Sequence, residues 1–245
     1  MFMYKNNLDT NTNGKAKNVF SKKFLVYVPL IISCITSLLA IYTISYDKNK
    51  RNFFTLGLFT RQNTLSVNIF LLLSLNNKFK KSKYYLYLSF VCFINCLIVM
   101  FFCLIETKTG TLQINYFFEH KILSLMFIFY YFFRNKKIIK LKKNYVGIIY
   151  PLIYFLIMFI LIKIDNEKLN PYSREITKYE INEFMLLFYA FLTSIMILII
   201  SFYTIILKNK IIKNNDIVVI KKYKRWFYFL SILVLSFFIF FNFIK

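Results

Sequence analysis

Residues 84–105 read YYLYLSFVCFINCLIVMFFCLI, 22 positions without a charged side chain. As a helix this segment reaches about 33 Å, enough to cross the hydrocarbon of a bilayer. Working outward from it, six further runs have the same character. The seven predicted spans are 24–46, 53–75, 84–105, 116–133, 145–164, 184–207 and 226–244. The expected fold class is therefore all-α, a polytopic transmembrane helix bundle. The whole chain of 245 residues is 58% hydrophobic and 21% aromatic with four glycines, which excludes disordered and collagenous chains and an ordinary soluble domain.

The net charge of +23 raises the question of a nucleic-acid partner. Its placement answers it. Residues 1–23 and the connections 76–83, 134–144 and 208–225 hold 22 of the 33 basic residues but only two acids, Asp9 and Asp216. The intervening connections hold the other acids, apart from Glu119 inside a predicted span. This alternation follows the positive-inside rule with a cytoplasmic N-terminus and an outer C-terminus. The basic residues thus face anionic lipid headgroups, with no interleaved aromatic platform for stacking bases. Membrane lipids are the expected partners, nucleic acid is not, and the plasma membrane is the expected location.

One domain is expected, a basic segment 1–23 followed by a membrane domain 24–245, with no internal repeat. The first span is longer than a typical signal-peptide core and lacks a small-residue cleavage pattern after Tyr46, so it reads as a retained signal-anchor. Short connections at 76–83 and 134–144 imply antiparallel neighbours. The longest outer connection, 165–183, has a turn signal at Asn170-Pro171-Tyr172 and a surface-helix start near Ser173. Ile217–Ile220 lies between basic clusters as a short surface-lying piece. The four cysteines all fall within spans. Cys92 and Cys96 share one helix face with no histidine near them in sequence, which favours packing over a metal or redox pair. No metal and no cofactor is expected.

Polar residues inside the spans then stand out, because each is costly at membrane depth. Thr60, Asn63, Thr64 and Asn68 occupy an arc of about 140° on the second helix. Arg61 lies at the same depth, and the fourth span opens with Glu119, His120 and Lys121. Both clusters fall toward the outer leaflet, so Arg61 is expected to pair with Glu119. His120 is the chain's one histidine and its one candidate general base. The nearby hydroxyls are Thr60, Thr64, Ser66 and Ser124. Asn and Thr also join membrane helices by hydrogen bonds, which is the alternative for Asn68 and the whole stripe.

Three stretches together resemble a family: Phe59-Thr60-Arg61-Gln62-Asn63-Thr64, then His120, then Tyr150-Pro151-Leu152-Ile153-Tyr154. The order resembles the androgen-induced and androgen-dependent multi-pass membrane hydrolases and their bacterial six-helix relatives, over about residues 24–207, leaving 226–244 as an extra helix. Asn63-Thr64 reverses the family's hydroxyl-then-amide order, and Ser124 stands where the family has proline. The resemblance implies hydrolysis of acyl-lipid esters, with Thr60 as nucleophile and His120 as general base. It makes Arg61, Asn63 and Thr64 candidates for binding the ester or its oxyanion, and Glu119, Gln62, Tyr150 and Tyr154 supporting residues. Gln62 points about 160° from Thr60 on a helix and is expected to meet another helix. The alternative is a small permease, or a non-catalytic lipid-binding or structural membrane protein.

Overall fold

The structure, a computed structural model, describes residues 24, 26–38, 58–105, 117–137, 139–169, 183–212, 228–229, 231–232 and 236. The basic segment 1–23, most of the outer connection 165–183, Ile217–Ile220 and most of the seventh predicted span lie outside the described residues. What is described is helical, with no strand among the described residues. In chain order the elements are α1 (Val26–Leu38), α2 (Phe59–Leu73), the short α3 (Asn77–Lys81) and α4 (Lys83–Ile105). A rod that we term α5 follows, π-helical over Phe118–Leu123, α-helical over Ser124–Phe129 and π-helical again over Tyr130–Arg134. A 3-10 turn, Leu141–Lys143, leads into α6 (Val146–Leu169), and α7 is Glu183–Ile211.

Three segments are long and apolar enough to cross a membrane: Lys83–Phe101, Leu141–Ile164 and Phe184–Ile211. That is fewer than the seven expected, counted among the described residues, which leave out most of the seventh span and part of the first. Helix α2 has only 15 residues and carries the polar Thr60–Thr64 stretch. Of the first span, the described apolar helix is Val26–Leu38. The α5 rod opens with Glu119, His120 and Lys121.

Helix α4 is the post of the bundle. It packs against α2, α5, α6 and α7. Within the most apolar window of each long helix, 56% of α4 is buried inside the protein, against 33% of α6 and 17% of α7. The reason is in its side chains. Phe90, Cys92, Phe93 and Ile98 are buried on different sides of α4, so the helix buries apolar side chains around most of its circumference, as an enclosed helix must. The outer helices show the opposite arrangement. Leu152, Ile153, Leu156, Ile157, Ile160 and Ile164 of α6 are all exposed. These positions follow helical periodicity, so one continuous face of large apolar side chains is turned outward.

The charged connections gather at one end of this bundle. Lys137 Nζ donates to the Ser82 carbonyl at 3.1 Å, and Lys143 Nζ donates to the Tyr87 hydroxyl at 2.6 Å. The end that receives α3 is closed by aromatic packing. Phe70 contacts Phe79, Tyr85, Phe127 and Tyr130 at centroid separations of 5.3–6.1 Å. Beside it the Tyr85 and Tyr130 hydroxyls share a 2.7 Å hydrogen bond. Asn135 Nδ2 donates to Ser89 Oγ at 2.7 Å, tying the end of α5 to α4. The expected antiparallel joins at 76–83 and 134–144 thus gain side-chain locks as well as short connections.

Lys208 corrects one boundary. The sequence places it in a cytoplasmic loop, but α7 continues to Ile211 and Lys208 is 1% exposed. Its Nζ lies 3.5 Å from the ring centroid of Tyr131, whose ring also stacks on Phe93 at 4.3 Å. An aromatic face attracts an ammonium group by its quadrupole, most strongly when water is excluded.

Close contact between α6 and α7 depends on Gly147. A Cβ there would collide with Ser201 Oγ, and it would lie 3.1 Å from Ile94 Cγ1 and 3.2 Å from Phe90 Cε1. Gly147→Ala is expected to destabilise by about 1–3 kcal/mol, the usual range for overpacking. Thermal unfolding of the detergent-solubilised protein should show the lower midpoint, and adding Ser201→Gly should recover part of it.

Candidate functional site

The first turns of α2 meet α5 and the beginning of α6. Arg61 Nε lies 3.1 Å from Glu119 Oε2, the expected pair, with side chains 15% and 4% exposed. Such a buried pair loses hydration on both sides, so it persists only with close geometry. The contact uses one nitrogen and one oxygen. Arg61 Nη1 and Glu119 Oε1 are also buried, with no hydrogen-bond partner among the described residues.

Gln62 behaves as its direction predicts. Its Oε1 accepts from the Tyr150 hydroxyl at 2.9 Å, joining α2 to α6. Three residues earlier, the Phe59 ring meets Tyr150 and Tyr154 edge-on at centroid distances of 5.8 and 5.1 Å. Two of the three stretches that carry the family resemblance, about ninety positions apart in sequence, therefore pack directly on one another.

Asn63 and Thr64 face inward and are buried. Asn63 Nδ2 lies 3.6 Å from Cys96 Sγ on α4, a weak hydrogen bond. Cys96 is also within hydrogen-bond reach of Ser124, so α2, α4 and α5 meet at three small polar groups. Thr64 Oγ1 bonds back to the Thr60 carbonyl at 3.1 Å, and Ser66 Oγ to the Gln62 carbonyl at 2.8 Å. Back-bonding of this kind satisfies a hydroxyl inside its own helix. Asn68 accepts from Cys34 Sγ at 3.5 Å and thereby joins α1 to α2. The lower part of the polar stripe holds helices together.

The structure does not join Thr60 to His120 by a hydrogen bond. The Thr60 hydroxyl, on a half-buried side chain, makes no hydrogen bond among the described residues. His120 is also half-buried and bonds to the backbone of Val99 on α4. Lys121 is exposed, with its ammonium 5.7 Å from the Phe117 ring centroid.

Glu119 and His120 sit in the π-helical stretch Phe118–Leu123. Wide turns of this kind are rare, and many of them occur at functional sites. Ser124 Oγ reaches back five residues to the Glu119 carbonyl at 3.4 Å, matching the i to i−5 geometry of that turn. Nothing in the local sequence marks a π-turn. The contact partners Cys96, Ser124 and Val99 were likewise outside the expected site, although Ser124 was already a candidate hydroxyl. Among the described residues, no group of three or more His, Cys, Asp and Glu is arranged to hold a metal. Cys92 and Cys96 are free thiols, both buried.

The chain matches no family model, no curated protein and no solved structure.

Reversing one member of the ion pair puts two like charges together, so Arg61→Glu and Glu119→Arg alone should each destabilise by about 3–5 kcal/mol. The double swap should recover most of that loss. Folded yield and thermal unfolding in detergent measure this coupling, and a double swap as unstable as the summed singles would show that the two side chains do not interact.

Proposed function

We propose that this chain is an integral membrane protein of seven spans that hydrolyses acyl-lipid esters at a site opening toward the outer leaflet. Its N-terminus is cytoplasmic, its C-terminus is outside, and it resides in the plasma membrane. The membrane reading is supported by the three long apolar helices and by the exposed apolar face of α6, whose natural surroundings are lipid tails. The orientation rests on the charge alternation, since the basic connections that gather at one end belong on the cytoplasmic side.

The observation that carries the enzymatic reading is the convergence of the three resembling stretches. Phe59 packs on Tyr150 and Tyr154, and Arg61 pairs with the residue before His120. In the proposed reaction Thr60 Oγ1 attacks the ester carbonyl and His120 takes its proton. The carbon–oxygen bond to the alcohol then breaks, and the alcohol leaves with that proton. Water hydrolyses the acyl-threonine by the same route in reverse roles. For this His120 must turn from Val99 toward Thr60, and a half-buried ring has a shorter way to go than an enclosed one. Catalytic hydrogen bonds are commonly loose before substrate arrives. The Thr60 hydroxyl has no competing bond among the described residues to give up.

A second reading, a non-catalytic lipid-binding or structural membrane protein, draws support from the lower stripe. Thr64, Ser66, Asn63 and Asn68 are all engaged within or between helices.

Purified protein treated with a serine/threonine-hydrolase probe should be labelled, and Thr60→Ala should abolish the label. His120→Ala should slow ester turnover by roughly 10²–10⁴-fold, the usual contribution of a general base. Labelling that survives Thr60→Ala would remove the nucleophile, and no labelling or turnover in the wild type would favour the second reading. Reporter fusions within 76–83 and 134–144 should report the cytoplasm, and a fusion at the C-terminus the outside.

A further inference from the structure

Helix α4 is enclosed along most of its length, but at its first turn it comes to the surface. Tyr84 is 61% exposed, and Leu88, one turn deeper on the same face, is 41% exposed. Both stand at the start of the apolar span Lys83–Phe101. Three lysines surround this opening. The Lys83 ammonium lies 5.5 Å from the Tyr84 ring centroid, that of Lys137 5.5 Å from the Tyr85 centroid, and that of Lys143 5.1 Å from the Tyr87 centroid. On a helix Tyr85 and Tyr87 lie about 100° one way and about 60° the other from Tyr84, so the lysines held against them flank its face.

These contacts hold the charges in place without neutralising them. Residues 74–87 and 134–146 contain basic residues and no acid. Lys137 Nζ gives one N–H to the Ser82 carbonyl and Lys143 Nζ one to the Tyr87 hydroxyl. Both acceptors are neutral, and each ammonium keeps further donors. A side chain already ordered loses less freedom when a ligand arrives, so a fixed ammonium is a better anion site than a freely moving one. Lys83 is exposed and the other two are half-buried, so the cluster is open at the surface. Beside it Tyr84 and Leu88 form an apolar strip leading into the span. A ligand that matches both features has a phosphate at one end and an apolar tail at the other. Free phosphate would use only the lysines, and a neutral lipid would leave the charges unmet.

We propose that the first turn of α4 is a binding site for an anionic glycerophospholipid, with the phosphate against Lys83, Lys137 and Lys143 and an acyl chain along Tyr84 and Leu88. The general attraction of basic loops to an anionic leaflet is spread over every lysine near the surface. This site is confined to three lysines whose positions tyrosine rings fix. It rests on the membrane reading of the chain and not on ester hydrolysis.

The test uses the full chain in detergent, with bound lipid counted by native mass spectrometry. Phosphatidylglycerol should bind about tenfold more tightly than phosphatidylcholine with the same acyl chains, the order expected of a few lysines acting on one net negative charge. Glycerol 3-phosphate, the headgroup without chains, should bind far more weakly than phosphatidylglycerol. Lys83→Gln with Lys143→Gln should bring phosphatidylglycerol down to the level of phosphatidylcholine. Lys78→Gln with Lys136→Gln removes the same charge from exposed lysines and should keep the preference. Lys83→Arg with Lys143→Arg should keep it too, which separates a lost charge from a disturbed fold. Equal binding of the two lipids by the wild type, an equal loss in both glutamine pairs, or a loss in the arginine pair would overturn the site. So would glycerol 3-phosphate binding as tightly as phosphatidylglycerol, which would show a phosphate site with no use for a tail. If neither lipid bound, the membrane reading would fall with it, whereas lipid preference without ester turnover would overturn the hydrolase alone.

Discussion

Enclosure of α4 is the constraint on which the rest of the structure depends. A helix with neighbours on most sides must be largely apolar, and three of the polar groups that it carries meet one on a neighbour, whereas the buried Asn95 amide has no hydrogen-bond partner among the described residues. Ser89 meets Asn135, Cys96 meets Asn63, and Tyr85 meets Tyr130. These contacts fix the rotation of α4, and with it the positions of α2 and α5. Arg61 and Glu119 can then meet because both of their helices are set against the same post. The free-energy terms are individually small. Each side-chain hydrogen bond contributes about 1 kcal/mol and each aromatic pair about 0.5–1.5 kcal/mol. Their effect is geometric: they select one rotation among many of similar apolar burial.

Much of this could be read in the chain beforehand, for reasons that differ by element. The helices at 84–105, 145–164 and 184–207 follow from run length alone, because an apolar run of that size has few alternatives. Arg61 and Glu119 were paired from topology, since two helices running the same way bring residues near their starts to equal depth. Gln62 was directed away from Thr60 by the hundred degrees per residue of a helix, and it meets Tyr150. What escaped was set by tertiary packing. The burial of Lys208 depends on a ring from another helix, so charge alone placed it in a loop. A trace was present, because Ser201, Thr204 and Lys208 recur at helical spacing and all three are buried. The π-turns had no trace, since the backbone adopts them in response to neighbours rather than to propensity.

The exterior of this bundle is rich in large apolar side chains, and its interior mixes an apolar core with buried polar groups. Asn, Ser, Thr, Glu and Lys are buried while isoleucines and phenylalanines are exposed. This redistribution assigns two roles to one polar residue type. Where a hydroxyl bonds back into its own helix, as in Thr64, it has no remaining chemistry. Where a hydroxyl makes no hydrogen bond among the described residues, as in Thr60, it is left for the chemistry proposed for it. Sequence position alone does not separate the two.

The two π-helical stretches of α5 carry a consequence for how the protein can change over time. Each wide turn is equivalent to one extra residue inserted in an α-helix, which shifts everything beyond it out of phase. Loss of a single residue from Phe118–Leu123 would convert that stretch to ordinary winding and swing Glu119 and His120 around the axis. Tyr130 and Tyr131, anchored against α4, would hold their positions. A one-residue deletion is therefore a genetic step that could reorient one end of the rod without disturbing the other, and related chains could differ in chemistry by their length at this point rather than by any substitution.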